Sequence, residues 1–135
     1  MMRRAYVDTC LFIYWVERSG AVAEAAVHWL ESQTGAAMCV SPLVRLELLA
    51  KPLRLGNQAL VRSYEMLLAR QEWLSINDDI FARALGLRAE HGLKTPDALH
   101  LATALHHGCT DFWTNDDRLK AVAGSLSVNV LEATR

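Results

Sequence analysis

The chain is 135 residues long, enough for one compact domain with a real core. Its 52% hydrophobic and 21% charged content is ordinary for a soluble globular protein. A net charge of −1 excludes a generic polyanion binder.

In chain order, Ala5-Tyr6-Val7 is a short β-prone run ending in Asp8-Thr9, and a helical stretch continues to about Arg18. Ala21 to Gln33 reads as a second helix, with Val22, Ala25, Ala26, Trp29 and Leu30 at helical spacing, and Gly35 ends it. Ala36 to Val40 reads as a buried strand. Ser41-Pro42 suits the N-cap and first turn of the next helix, which runs through Leu49 to a break near Lys51-Pro52. Asn57 to Arg70 is helical, and Trp73 to Ile76 a strand. Asp78 or Asp79 opens a helix ending near Gly92, and Thr95-Pro96 caps and starts another, closed by Gly108. Asp111 to Thr114 is a strand, Asp116 to Ala123 a short helix, and Ser127 to Leu131 a last strand.

Strands alternating with helices predict an α/β fold with a mostly parallel sheet covered on both faces. Residues 1–135 read as a single domain, without linker or repeat. Arg3-Arg4, the apolar run Cys10 to Val16 and Ala21-Val22-Ala23 loosely imitate a signal peptide. Asp8 interrupts that pattern, the apolar run is short, and Glu17-Arg18 stand before the supposed cleavage site. No apolar run is long enough to span a bilayer. Cys10, Cys39 and Cys109 are odd in number and lack a Cys-x-x-Cys spacing, which predicts free thiols. The chain is expected in a reducing cytoplasm.

Asp8, Glu47, Asp97 and Asp116 are the residues that carry chemistry. Each has a plain alternative. Asp8 suits a helix N-cap, and Glu47 an i,i+4 pair with Lys51. Asp97 suits the dipole of the helix it opens. Asp116 or its neighbour Asp117 suits a cap, and which of the two faces a site stays open. Asp8 and Asp116 nevertheless follow strands, at the sheet edge where sites form in such folds. Glu47 stands in a helix that is apolar almost all round, where an unpaired buried carboxylate is costly. Asp97 heads the stripe Leu101, Ala104, Gly108, with His100, Thr103 and His107 on the polar side. Acids gathered at one edge repel one another, and a hard cation removes that penalty. Oxygen-only ligands point to Mg²⁺ or Mn²⁺, and that ion's natural chemistry is phosphodiester hydrolysis.

Setting these four acids aside takes the charge from −1 to +3, and Arg45, Lys51, Arg54 and Arg62 cluster against Glu47 alone. That excess permits a surface that tracks phosphates. His100, His106 and His107 are expected on the solvent side of their helix. Trp15, Trp29, Trp73 and Trp113 are expected in the core.

These segments resemble PIN-domain nucleases, and more narrowly VapC-like toxins of bacterial toxin–antitoxin modules, over about residues 4 to 131. The resemblance rests on Tyr-Val-Asp-Thr from Tyr6, Ser-Pro-Leu-Val-Arg-Leu-Glu-Leu from Ser41, Thr-Pro-Asp-Ala-Leu-His-Leu-Ala-Thr-Ala from Thr95, and Thr-Asn-Asp-Asp-Arg-Leu from Thr114. It implies a three-layer sandwich around a five-stranded parallel sheet. It also implies that Asp8, Glu47, Asp97 and Asp116 hold Mg²⁺ or Mn²⁺, supported by Thr9 and Thr114, with Asp117 beside them. The implied activity is endoribonuclease cleavage, often of structured RNA such as tRNA, which halts translation. The implied partners are a cognate antitoxin and a second copy of the chain. Cys10 departs from the Asn or Ser common after the Asp-Thr pair, and Leu119 replaces a common aromatic residue.

Two other readings compete. A phosphoryl-transfer or receiver-like domain would want a second Asp two residues after Asp8, where Cys10 stands, or a Gly-rich loop followed by Lys, which is absent. A binding module that keeps the fold and acts by docking an antitoxin-type partner is the alternative function.

Overall fold

A computed structural model describes residues 3–134. Five parallel strands form one sheet in the order β3-β2-β1-β4-β5. They are β1 (Arg3–Val7), β2 (Ala36–Val40), β3 (Glu72–Trp73), β4 (Asp111–Thr114) and β5 (Ser127–Asn129). β1 is central, flanked by β2 and β4, so the chain leaves it in one direction and later returns on the other side. That reversal opens a crevice beyond the carboxyl ends of β1 and β4.

The crossover helices are α1 (Thr9–Glu17), α2 (Ala21–Ser32), α3 (Pro42–Arg54), α4 (Gln58–Ala69), α5 (Asp78–His91), α6 (Thr95–His106) and α7 (Asp117–Ala123). A short α8 (Val130–Ala133) follows β5. α1 packs against α2, α3 and α4, whereas α6 packs against α5 and α7. The central strands serve both layers. Tyr6 stacks on its register partner Phe112, with centroids 5.6 Å apart, and also meets His100 of α6 at 5.5 Å. Trp113 meets Trp29 of α2 edge-on at 5.0 Å. The expected three-layer sandwich is therefore the observed one, and alternation along β4 supplies both inner faces.

Several boundaries differ from the sequence reading. α3 does not break at Lys51-Pro52 but runs to Arg54. Proline forfeits only one helical bond there, close to the end of α3, and its ring is buried. The turn is then closed by Leu55 N–H donating to Lys51 O at 3.0 Å and Asn57 N–H to Pro52 O at 2.9 Å. β3 covers two residues rather than four and extends only by the bond from Leu74 N–H to Val40 O. It lies at the sheet edge with a single neighbour, and Asn77 soon turns the chain into α5. β5 stops at Asn129, because Val130 already begins α8. Ser41 occupies an N-cap position but makes no capping bond, and Lys94, not Thr95, precedes α6.

Two burial expectations are also corrected. α6 has no wide polar face: every residue from Ala98 to Ala104 is buried, including His100 and Thr103. Thr103 satisfies its hydroxyl on Leu99 O at 2.6 Å, while His106 stays exposed and partly covered His107 reaches Ser75 O. Trp113 is fully buried, but Trp73 is 44% exposed on the edge strand and donates its ring N–H to Leu68 O. The three cysteines are free, as expected. No helix of the described residues is long and apolar enough to cross a membrane.

Because Trp113 fills the space between β4 and α2, Trp113→Ala should cost about 3–5 kcal/mol. Urea unfolding of the two proteins measures this directly, and a loss below about 1 kcal/mol would contradict the packing described.

Candidate metal and phosphodiester site

Asp8 leaves β1 as its N–H donates to Trp113 O at 2.9 Å, across to β4. Its two carboxylate oxygens have different partners. Oδ1 accepts from Thr9 N–H at 2.8 Å, and Oδ2 accepts from the Thr114 hydroxyl at 2.8 Å. The same Thr114 oxygen accepts from Asp116 N–H at 3.0 Å. One buried hydroxyl thus ties together the acids that follow β1 and β4. Asp8 and Asp116 do cap α1 and α7, so the plain reading and the site reading coexist at both positions.

Asp116 also faces Arg118, whose backbone N–H donates to Oδ1 at 2.8 Å and whose guanidinium lies 3.3 Å from Oδ2. Burial works against ionisation of Asp116, but Arg118 outweighs it and holds the carboxyl below its ordinary value. Asp117 turns elsewhere and accepts from Asn129 Nδ2 at 2.6 Å. Of the doubled pair, Asp116 is the one whose charge reaches Asp97.

Asp97 sits in the first turn of α6, where Pro96 sets the backbone and the dipole favours an anion. Among the described residues its carboxylate has no hydrogen-bond or ion-pair partner. Its carboxyl is raised above the usual value, first by burial and then by the charges of Asp8 and Asp116. His100 and Arg118 oppose the rise without cancelling it.

Glu47 reaches the edge from α3. Its Oε1 accepts from the Thr9 hydroxyl at 2.7 Å and lies 2.5 Å from His100 Nε2. Burial alone would raise this carboxyl, but the His100 hydrogen bond and charge, with Thr9, bring it below the ordinary value. The plain alternative for Glu47, a pair with Lys51, does not form among the described residues; His100 takes its place. Cys10, which follows the Asp8-Thr9 pair, donates to Asn115 Oδ1 at 3.1 Å, and Asn115 in turn bonds Tyr14.

The four acids predicted from the sequence therefore meet at one edge. The charges of Asp8 and Asp116 reach Asp97, and Glu47 joins through Thr9, the residue after Asp8. Among the described residues, no three His, Cys, Asp or Glu side chains are already gathered closely enough to hold a metal ion by themselves. Mg²⁺ does not require one, since it keeps waters and takes few protein oxygens. An all-oxygen donor set, an unpartnered carboxylate and mutual repulsion fit such an ion.

Sequence reasoning missed His100 and Arg118. The signal for His100 was available: Ala98, Leu99, Leu101, Ala102 and Ala104 surround it with small and apolar residues on every side of the helix.

A family model, the PIN domain, matches residues 5–125. The chain belongs to the PIN domain family. Among solved structures, it resembles a toxin–antitoxin complex from Klebsiella pneumoniae, with 25% identity, 93% of this chain and 97% of that one covered, and a TM-score of 0.71. It also resembles VapC20 of Mycobacterium tuberculosis, described as a sarcin–ricin loop cleaving toxin, with 20% identity, 89% and 95% coverage and a TM-score of 0.72. VapBC2 of Rickettsia felis, solved on a promoter DNA fragment, gives 14% identity, 93% and 97% coverage and a TM-score of 0.73. A comparison of this PIN domain with curated proteins finds no match.

The lowered Glu47 carboxyl has a consequence for stability. The folded protein binds that proton less tightly than the unfolded chain, so the interaction contributes above the ordinary glutamate range and is lost as pH falls through the folded value. In metal-free buffer, Glu47→Gln should cost about 1 kcal/mol at neutral pH. The difference should shrink below about pH 4. Urea midpoints across that range test it, and a pH-independent difference would refute the charge-based account.

Proposed function

We propose that this PIN domain is a divalent-metal-dependent endoribonuclease and the toxin of a toxin–antitoxin pair. The observation that carries the reading is Asp97: a carboxylate without a protein partner among the described residues, raised by burial and then by the charges of Asp8 and Asp116 at the crevice between β1 and β4. Asp8, Asp97, Asp116 and Glu47 would hold Mg²⁺ or Mn²⁺. When bound, the ion supplies Lewis-acid stabilisation of charge on a scissile phosphate and of the attacking and leaving oxygens.

The chain's own residues do the rest. Thr114 aims Asp8, Thr9 aims Glu47, and Arg118 restrains Asp116 at the rim. Lys51, Arg54 and Arg62 are exposed on α3 and α4 without ion-pair partners among the described residues, and they suit an RNA backbone approaching the acids. Arg45 is engaged with Glu65 at 2.8 Å and is less available. The likeness to VapC20 supports structured RNA as substrate.

Partner binding would use a groove that borders the acids. A groove of about 340 Å³ between α1, α3 and α4 is lined by Ile13, Leu48, Pro52, Leu55 and Tyr64, with Glu17, Glu47 and Lys51 on its walls. An apolar antitoxin segment seated there, with a basic side chain at Glu47, would fill the groove and cover the acids. The solved toxin–antitoxin complexes of similar fold support that partner. Exposed Phe81 and Leu85 on α5 suit a second copy of the chain.

Purified protein incubated with RNA should cleave it with Mg²⁺ or Mn²⁺ and stop in excess chelator. Asp97→Asn should lose at least about 100-fold in rate while remaining folded. Sequencing the new 5′ ends locates the cut, and equal cleavage by wild type and variant would overturn the assignment. Metal should also raise thermal stability, by about 1.4 kcal/mol at tenfold excess over its dissociation constant. Calorimetric scans with and without the ion measure that gain, which should be lost in Asp97→Asn.

A further inference from the structure

Behind Glu47 a line of buried polar groups runs into the core. Glu47 Oε1 lies 2.5 Å from His100 Nε2, His100 Nδ1 lies 2.6 Å from Tyr6 Oη, and Tyr6 Oη lies 2.8 Å from Ser41 Oγ. His100 is 1% exposed, and Tyr6 and Ser41 are wholly enclosed. Each member comes from a different element: α3, α6, β1 and the turn after β2. An ionised carboxylate only accepts hydrogen bonds, so His100 Nε2 carries the proton and donates it toward Glu47. Nδ1 then accepts from the Tyr6 hydroxyl in a neutral ring or donates to it in a charged one. The bond to Glu47 runs the same way in both.

The line is not explained by local structure. Ser41 stands where a hydroxyl ordinarily caps a helix, yet it makes no cap and turns to Tyr6 instead. Buried His and Tyr with aliphatic neighbours would pack more simply as apolar residues. What these groups share is the carboxylate at the end of the line. Both recorded bonds to Glu47 fall on Oε1, from Thr9 and from His100, which leaves Oε2 as the oxygen available to a cation.

We infer that His100, backed by Tyr6 and Ser41, is a positioning residue that fixes the orientation of the Glu47 carboxylate for cation binding without touching RNA. The inference rests on the metal-nuclease reading above. Its chemistry is the familiar one of a ligating carboxylate held by an outer hydrogen-bond partner, whose loss typically weakens metal binding or activity 10- to 100-fold.

The test is Mn²⁺ binding to metal-free protein by calorimetry, with RNA cleavage at saturating Mn²⁺ measured alongside. His100→Leu should weaken Mn²⁺ binding by about 10- to 100-fold. His100→Gln, which restores a donor N–H, should recover most of that loss, and Tyr6→Phe should fall between. KM for RNA should stay unchanged in all three. Equal weakening in the Leu and Gln variants would reduce His100 to a packing role and overturn the inference, as would wild-type binding in every variant. If His100→Leu does not fold, the nearly isosteric Tyr6→Phe decides alone, and undiminished Mn²⁺ binding then overturns it. A wild-type protein that neither binds Mn²⁺ nor cleaves RNA removes the nuclease reading, and this inference with it. Wild-type binding and cleavage with indifferent variants removes only the positioning role.

Discussion

The Thr114 hydroxyl is the constraint on which the crevice depends. It donates to the carboxylate that ends β1 and accepts from the backbone that leaves β4, so two strands far apart in sequence end in register. Their pairing puts Val7 beside Trp113 and brings Asp8 N–H onto Trp113 O. Without that shared oxygen, two like charges at adjacent strand ends would have every reason to diverge. With it, Asp8 and Asp116 stay close enough to act on Asp97 from another helix. The repulsion that remains is concentrated on Asp97, which lacks a protein partner among the described residues.

The elements were largely legible in the sequence because they rest on local signals. Asp8 and Asp116 fall where short apolar strands give way to helices, and glycine closes α5 at Gly92. Parallel pairing followed from the alternation of strands and helices. The misread boundaries all involve context. Pro52 reads as a helix breaker only if the turn after it has no other way to satisfy its carbonyls. Trp73 reads as core only if its strand is flanked on both sides, and β3 is an edge. Ser41 reads as a cap until a buried tyrosine competes for its hydroxyl.

The site was legible in part, for a related reason. Carboxylates announce themselves in apolar surroundings, so Asp8, Glu47, Asp97 and Asp116 could be picked out one by one. Histidine does so less plainly, because the same residue is equally at home in water, and the apolar neighbours of His100 were the signal to weigh. A helical wheel drawn for α6 assumes one buried face, and it places His100 outside. The structure instead covers α6 with the sheet, α5 and α7, leaving little of that helix to solvent. Arg118 was hidden by the doubled aspartates before it, whose roles separate only when Asn129 draws Asp117 toward β5.

Glu47 is where the two functions proposed for this domain meet. One side of the residue takes its orientation from Thr9 and His100, and the other forms a wall of the apolar groove between α1, α3 and α4. A partner in that groove need not reach the carboxyl ends of the strands to affect the acids. A cationic side chain at Glu47 would compete for the same charge that His100 and Thr9 now hold, and a metal held by Glu47 would feel any redistribution of that charge. Inhibition by occlusion and inhibition by withdrawing a ligand would then differ in their metal dependence. Only the second should weaken as metal concentration rises, because metal and partner would be drawing on one carboxylate.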